Sequence, residues 1–296
     1  MERRTLGQSG IEVSALGLGA GQIGDGRLEE AQVERLLHAA VDMGVTFFDS
    51  ARAYGLSEER LGRHLGSKRA DVVLSTKVGY GIEGFHDWTG PCITAGIDAA
   101  LQRLRTDWID VVHLHSCPLG TLEYGEVVEA LCGAIGAGKI RVAAYSGERE
   151  ALDYAVASGR FGVAQTSVNI CDQRGLSGAV AEAHRRGLGV IAKRPLANAP
   201  WRWSQRPDGH YAEAYWDRLE AMGGQKIKPE GMDWDELALR FSAFAPGVTT
   251  VICGTSNPEH LRRNVALVQR GALPQADAAR VRAAFEAADD GWVGQV

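Results

Sequence analysis

The chain has 296 residues, of which 45% are hydrophobic, with a formal net charge of −5 and a sequence pI near 5.9. This length suffices for one large α/β domain, and the acidic balance gives no electrostatic reason to expect a nucleic-acid partner. No apolar run approaches the ~20 residues of a membrane span, and the first residues lack the apolar core of a signal peptide, so we expect a cytoplasmic protein with no membrane partner.

The amino-terminal part of the chain predicts a β-hairpin followed by a first strand and helix. Residues 3–13 form two short predicted strands around a Ser9-Gly10 turn. An apolar strand over 14–20 ends in glycines. Apolar residues at helical spacing then predict a helix over 29–43, with Gly44 where that helix ends.

The same strand-helix unit repeats along the rest of the chain. Further strands are predicted at 46–50, 72–78, 109–115, 140–146, 163–169, 189–192 and 248–253. Further helices are predicted at 57–65, 93–105, 124–137, 150–157, 176–186 and 258–269. In the helix at 57–65, Ser57 is the expected cap, and Arg60 and Arg63 are expected to point outward.

Eight strands that alternate with helices predict a (β/α)8 TIM barrel formed by a single domain over residues 1–296. Two segments lie outside this repeat. The insertion at 197–235 is rich in Trp, Gly and Pro and is expected above the pocket, and a helix near 275–287 is an additional C-terminal element. The five cysteines are scattered without a Cys-x-x-Cys pair, which predicts reduced, buried thiols.

Ionisable groups follow three neighbouring predicted strands at the points where these strands end. Asp49 closes the strand at 46–50 and Tyr54 follows it, whereas Lys77 and His115 close the next two strands. Because parallel strands end at one edge of a barrel, these four side chains are expected to converge there. An ammonium beside a phenol stabilises the phenolate, a carboxylate keeps the ammonium charged, and a neutral imidazole can orient a carbonyl oxygen. The set therefore predicts proton transfer to a carbonyl as a hydride arrives.

Two competing motifs point to other chemistry. Gly19 to Gly24 matches G-x-G-x-x-G after a strand, which is typical of a Rossmann dinucleotide site, but the predicted helix begins only near Arg27 instead of inside the motif. His113 and His115 lie on one face of a strand and could ligate a divalent metal in a hydrolase. Such a site needs ligands from other strands, where Lys77 supplies a cation instead, so no metal is predicted.

Several segments resemble the aldo-keto reductase family. The resemblance is carried by Asp49-x4-Tyr54-Gly55, by Ser75-Thr76-Lys77-Val78-Gly79 and by the run from Leu104 to Asp110 that leads to His115. It implies an oxidoreductase that transfers a hydride between a nicotinamide cofactor and an aldehyde, ketone or sugar. Tyr54 is then the general acid/base, Lys77 and Asp49 tune it, and His115 orients the substrate carbonyl.

The resemblance also implies which residues bind the cofactor, NADP or NAD. Those near the nicotinamide are Ala20, Gly21, Asp49, Ser146 and Gln165. The segment along the nicotinamide and pyrophosphate contains Lys193, Arg194, Pro195, Leu196 and Asn198. Those at the adenosine end are Gly254, Thr255, Ser256, His260 and Asn264. NADP is weakly preferred because of the family alone.

This chain departs from the family pattern at two positions beside the nicotinamide. Gly147 replaces the usual Asn, and Lys193 replaces the aromatic residue that commonly stacks on the ring. Tyr54, His115 and Trp88 are expected to contact substrate. The other predicted pocket walls are Phe85, His86, Trp201 and Trp203. A nicotinamide-binding sensor or auxiliary subunit without catalysis stays open as an alternative function, as does the metal-dependent hydrolase.

Overall fold

Eight parallel strands close into a barrel in this computed structural model, which describes residues 1–295, and the predicted TIM barrel is confirmed. An antiparallel hairpin of β1 (Arg3–Thr5) and β2 (Glu12–Ser14) precedes it. The barrel strands are β3 (Leu16–Gly19), β4 (Phe47–Asp49), β5 (Val73–Val78), β6 (Ile109–His115), β7 (Ile140–Ser146), β8 (Val163–Ser167), β9 (Gly189–Lys193) and β10 (Thr250–Gly254). Each pairs with its neighbours in chain order, and β10 closes the barrel by pairing with both β9 and β3.

Helices cover the outside of the barrel. They are α1 (Glu30–Asp42), α2 (Ser57–Leu65), α3 (Gly90–Leu104), α4 (Leu119–Tyr124), α5 (Glu126–Gly136), α6 (Arg149–Ala157), α7 (Arg174–Ser177), α8 (Ala179–Arg185), α9 (Glu213–Ala221), α10 (Trp234–Ala243), α11 (Pro258–Gln269) and α12 (Gln275–Ala288). Short 3-10 helices lie at Gln22–Gly24, Gly66–Asp71, Pro200–Arg202 and Gly224–Ile227. Among residues 1–295, no helix is both long and apolar enough to cross a membrane.

The helices differ from the prediction in two ways. The unpredicted α4 precedes α5, and Gly125, with φ of 89°, separates the two because a left-handed residue cannot continue a right-handed helix. The predicted insertion contains α9 and runs into the unpredicted α10. Most of α10 is buried, and its Glu236 and Arg240 form an ion pair one turn apart.

Two predictions for α2 are wrong, namely that Ser57 caps the helix and that Arg60 points outward. Arg60 is only 3% exposed, and its guanidinium donates to the Ile23, Asp25 and Leu28 carbonyls while it pairs with Glu30. The Ser57 hydroxyl does not cap the helix but donates to the Ala20 carbonyl over 2.8 Å. Both side chains therefore fasten α2 to the loop that follows β3.

The amino-terminal hairpin closes one end of the barrel and leaves the other end open. Leu6, Ile11 and Val13 are buried in one apolar cluster with Phe47 and Val111 from inside the barrel. A second, larger cluster lies between the strands and the surrounding helices. Because the hairpin fills the end where the strands begin, the mouth of the barrel lies at the carboxyl ends of the strands.

We expect alanine to have opposite effects at two helical glycines. A Cβ at Gly62 in α2 would overlap the backbone of Arg103 and Leu104 at the end of α3, whereas a Cβ at Gly133 in α5 meets nothing within 4 Å. Gly62→Ala should lower the free energy of unfolding by about 1–3 kcal/mol because the helices must separate. Gly133→Ala should raise it by about 0.5–1 kcal/mol through helix propensity. Denaturant midpoints measure both, and a stabilised Gly62→Ala protein would show that the two helices are not held this closely.

Candidate active site

The carboxyl ends of the strands surround a cavity of about 560 Å³. Asp49, Tyr54, Lys77 and His115 all line it, so the structure brings together the four side chains that the sequence placed at this edge. The register accounts for their proximity, because Asp49 pairs with Ser75 two residues before Lys77, and Lys77 pairs with His113 two residues before His115.

Asp49 and Lys77 form a buried ion pair at the base of this cavity. Lys77 Nζ lies 2.5 Å from Asp49 Oδ2, and the two side chains are 2% and 1% exposed. Burial alone would raise the pKa of Asp49, but the neighbouring positive charge, mainly that of Lys77, and the hydrogen bonds from Lys77 and Ser75 together lower it. Burial likewise opposes the charge of Lys77, yet the Asp49 carboxylate raises the pKa of the ammonium. Both groups therefore stay ionised away from water.

The second carboxylate oxygen of Asp49 connects the ion pair to two more strands. Ser75 Oγ donates to Oδ1 over 2.8 Å, and Gln165 Nε2 donates to it over 3.1 Å. The Gln165 carbonyl oxygen accepts from Ser146 Oγ over 2.9 Å. Ser146 and Gln165, which were predicted to hold a carboxamide, are thus oriented by the carboxylate that holds Lys77.

Tyr54 stands over this pair on a tightly packed loop. Lys77 Nζ lies 5.0 Å from the centroid of its ring, and the His115 ring meets it edge-on at 6.1 Å. A Cβ at Gly24 would overlap the Tyr54 carbonyl, and the Gly24 carbonyl accepts from Leu56 N over 3.0 Å. The last glycine of the G-x-G-x-x-G match therefore makes room for the Tyr54 loop, and α1 begins only at Glu30, too late for a Rossmann site.

The two histidines of β6 have different surroundings. His113 is fully buried with Nε2 3.1 Å from Ser75 Oγ, and burial lowers its pKa to about 4. Burial also lowers the pKa of His115, to about 3, so that its imidazole is neutral near pH 7. Within residues 1–295 no group of three or more His, Cys, Asp or Glu side chains could hold a metal ion.

One aromatic residue beside His115 was not predicted. Tyr80 Oη lies 2.8 Å from His115 Nδ1, and the two rings stack with centroids 5.6 Å apart and planes 23° apart. Trp88, predicted to contact substrate, packs against Tyr80 at 5.7 Å and does not line the cavity. A signal was present in the sequence, since Tyr80 follows the strand that carries Lys77 by only two residues.

The other predicted pocket walls mostly pack locally. Trp201 stacks on Trp234 with centroids 5.6 Å apart and donates to Asp235, and Trp203 lies against His210 on the surface. Phe85 is 44% exposed. The cavity wall instead includes Ser116, Ala199, Arg202 and Tyr211, none of which was predicted.

Most of the predicted cofactor residues line one continuous cavity. They are Gly21, Asp49, Ser146, Gln165, Lys193, Arg194, Pro195, Leu196, Asn198, Gly254, Thr255, His260 and Asn264. Ala20 and Ser256 do not line it; the Ala20 carbonyl accepts from Ser57 and the Ser256 carbonyl accepts from Gln32. Gly19 and Gln22 line it in their place.

The two departures beside the nicotinamide positions have structural causes. A Cβ at Gly147 would lie 2.5 Å from Tyr145 Oη, which donates to the Cys117 carbonyl over 3.0 Å, so Asn cannot occupy this position in this conformation. Lys193 Nζ pairs with Glu148 Oε1 at 3.2 Å, and burial lowers the pKa of the lysine. A cation therefore stands where the family commonly has an aromatic ring.

The far end of the cavity carries mixed charge at the start of α11. Arg263 lines it but pairs with Asp233 at 3.1 Å and Asp235 at 3.5 Å. A side chain at position 254 would overlap Gln22. A cavity with amide and hydroxyl donors at one end and a helix amino terminus at the other fits a dinucleotide, and Arg263 at that end is already paired with two carboxylates.

Comparison with known proteins relates most of this chain to one family of oxidoreductases. The family model described as the aldo/keto reductase family matches residues 15–286. L-galactose dehydrogenase of Arabidopsis thaliana is 29% identical over 282 residues, which cover 90% of this chain and 88% of that protein. A probable voltage-gated potassium channel subunit beta of rice (Oryza sativa subsp. japonica) is 39% identical over 138 residues, 44% of this chain and 42% of that protein. A holo-form aldo-keto reductase structure from Bacillus halodurans superposes with a TM-score of 0.84 at 26% identity, covering 96% of both chains.

The buried ion pair predicts an asymmetric response to mutation. Lys77→Met leaves the Asp49 carboxylate buried without its cation, which should lower the free energy of unfolding at neutral pH by about 3–5 kcal/mol. Asp49→Asn combined with Lys77→Met removes both charges and should recover most of that loss. Without the cation, burial raises the pKa of Asp49, so the deficit of the single variant should shrink as the pH falls towards about 4. Urea midpoints across pH measure this, and equal stability of the single and double variants would contradict it.

Proposed function

The chain belongs to the aldo/keto reductase family, and we propose that it is an NAD(P)-dependent reductase of carbonyl compounds in which Tyr54 is the general acid. The observation that carries this proposal is the placement of Tyr54 over the buried Asp49–Lys77 pair and beside a neutral His115, all in one cavity. Proton donation to a carbonyl oxygen needs a donor at the cavity, a nearby cation to stabilise the resulting anion and a second donor to orient the oxygen. Tyr54, Lys77 and His115 supply these in turn.

The residues around the cavity support a bound nicotinamide cofactor, which supplies the hydride. In this proposal Ser146 and Gln165 bind the carboxamide, and their connection to Asp49 fixes the ring relative to Tyr54. The segment from Lys193 to Asn198 lies along the nicotinamide and pyrophosphate. The start of α11 receives the adenosine end, where helix N–H groups favour an anion.

The substrate that this cavity suits is a small polar carbonyl compound. In addition to Tyr54 and His115, its wall contains hydroxyl and guanidinium groups from Ser116 and Arg202. Such groups hydrogen-bond hydroxyls well and suit a sugar or a hydroxy-aldehyde better than an apolar aldehyde. The relationship to the Arabidopsis L-galactose dehydrogenase supports the same substrate class.

A second candidate function is that of an auxiliary subunit that binds the cofactor without turnover. It is favoured by the similarity of part of the chain to the rice potassium channel subunit beta. Catalytic turnover separates the two functions, because only the reductase consumes cofactor when an aldehyde is present. The cytoplasmic location and the single domain over 1–296 stay predictions, and the oligomeric state is open.

Removal of one hydroxyl tests the role of Tyr54. Tyr54→Phe should keep the dissociation constant for NADPH within about twofold, because the ring and its packing remain. It should lower kcat for reduction of aldehydes by about 10²–10⁴-fold through loss of the acid. Tyr124→Phe is a matched control, since Tyr124 is 80% exposed and does not line the cavity. Near-normal turnover by the Tyr54→Phe protein would place the acid elsewhere.

The charges at the adenosine end predict weak discrimination between cofactors. Because Arg263 is neutralised by Asp233 and Asp235, a 2′-phosphate on the cofactor adds little binding free energy. NADPH and NADH should therefore bind with dissociation constants within about tenfold of each other. Fluorescence titration of the protein with each cofactor measures the ratio. A preference for NADPH beyond about 100-fold would show that the phosphate is clamped after all.

A further inference from the structure

We propose that Tyr80 is a positioning residue that holds His115 with its Nε2–H group towards the cavity. This inference rests on the proposed function, in which His115 orients the carbonyl oxygen. Tyr80 does not line the cavity, so it acts on the substrate only through the His115 imidazole. The His115 ring then presents an N–H donor, and not a bare nitrogen, at the point where the substrate oxygen is bound.

Two contacts fix the imidazole from one side. Tyr80 Oη lies 2.8 Å from His115 Nδ1, and the stacked rings, 5.6 Å apart, limit rotation of the imidazole about its Cβ–Cγ bond. Among residues 1–295, His115 Nε2 has no hydrogen-bond partner, although His115 lines the cavity. One ring nitrogen is therefore occupied by Tyr80 and the other remains available for a ligand.

The direction of the Tyr80–His115 hydrogen bond follows from the two groups. A phenol is a stronger donor than a neutral imidazole N–H, and an imidazole nitrogen is a stronger acceptor than a phenol oxygen. Burial raises the pKa of Tyr80, so the phenol keeps its proton. The O–H group accordingly donates to Nδ1, and the proton of the neutral imidazole lies on Nε2.

The loop that carries Tyr80 is held in place independently of any ligand. Trp88 N donates to the Gly79 carbonyl over 2.7 Å, and its indole fills the space where a Cβ of residue 79 would lie. Arg52 Nε and Asp87 Oδ1 bind the carbonyl and the N–H of Gly81, over 2.7 and 2.8 Å. Tyr80 is thus preorganised against His115 before substrate arrives.

The donor has to be Nε2–H for the carbonyl to be oriented. A carbonyl oxygen accepts a hydrogen bond from this group, whereas an unprotonated Nε2 would present a lone pair to the oxygen lone pairs. Loss of the Tyr80 hydroxyl leaves the stacked ring in place but lets the imidazole exchange its proton between the two ring nitrogens. Because a neutral hydrogen bond contributes modestly, we expect its loss to cost about fivefold to tenfold in kcat.

The test combines nuclear magnetic resonance with kinetics on the full chain. Protein labelled with ¹⁵N-histidine should show His115 with a proton on Nε2 and a hydrogen-bonded acceptor signal at Nδ1, with His115→Asn identifying the resonances. Tyr80→Phe keeps the stacked ring and should lose only the hydrogen-bond signature at Nδ1. Tyr80→Leu removes both contacts. With NADPH and a panel of aldehydes, kcat should fall in Tyr80→Phe and further in Tyr80→Leu, whereas Tyr124→Phe stays unchanged.

The outcomes separate this inference from the proposed function. A proton on Nδ1 of His115 in the wild-type protein would overturn the inference, because Tyr80 would then be the acceptor. An unchanged Nδ1 signal in Tyr80→Phe would overturn it as well. If the wild-type protein turns over no carbonyl compound, the proposed function fails, and the resonance measurement still decides the state of His115.

Discussion

The buried ion pair between Asp49 and Lys77 is the constraint on which the rest of the site depends. Two opposite charges at 2.5 Å, almost without solvent, are stable only if neither loses its partner and if their remaining hydrogen-bonding capacity is used. Ser50 and Ser75 supply part of this capacity, and Gln165 supplies another part. The pair therefore dictates the positions of groups on several strands and cannot be altered without disturbing them.

One carboxylate consequently joins the two halves of the proposed reaction. Its Oδ2 holds the ammonium beneath Tyr54, the proposed proton donor, and its Oδ1 holds Gln165 and through it Ser146, the proposed carboxamide ligands. In a barrel, neighbouring strands cannot slide independently, because each is hydrogen-bonded on both sides. The proposed proton donor and the proposed carboxamide ligands are thereby kept in a fixed relation by the fold itself.

The barrel and its converging side chains could be predicted from the sequence because buried parallel strands are continuous apolar runs. The strands β6 and β7, for example, have the predicted bounds. What depends on tertiary packing was missed. Arg60 looks like a surface residue until the loop carbonyls that it binds are present. Tyr80 was missed because a contact between a loop residue and the end of the neighbouring strand leaves no period in the sequence.

Transfer of deuterium tests most directly the claim that this protein transfers a hydride from a nicotinamide cofactor to a carbonyl compound. Purified protein is mixed in a single turnover with cofactor deuterated at C4 of the dihydronicotinamide and with a panel of aldehydes and sugars, and the products are examined by mass spectrometry. The account predicts deuterium on the carbinol carbon of the product alcohol, undiminished by a metal chelator. Cofactor that binds without delivering deuterium to any compound, or transfer that the chelator abolishes, would contradict it.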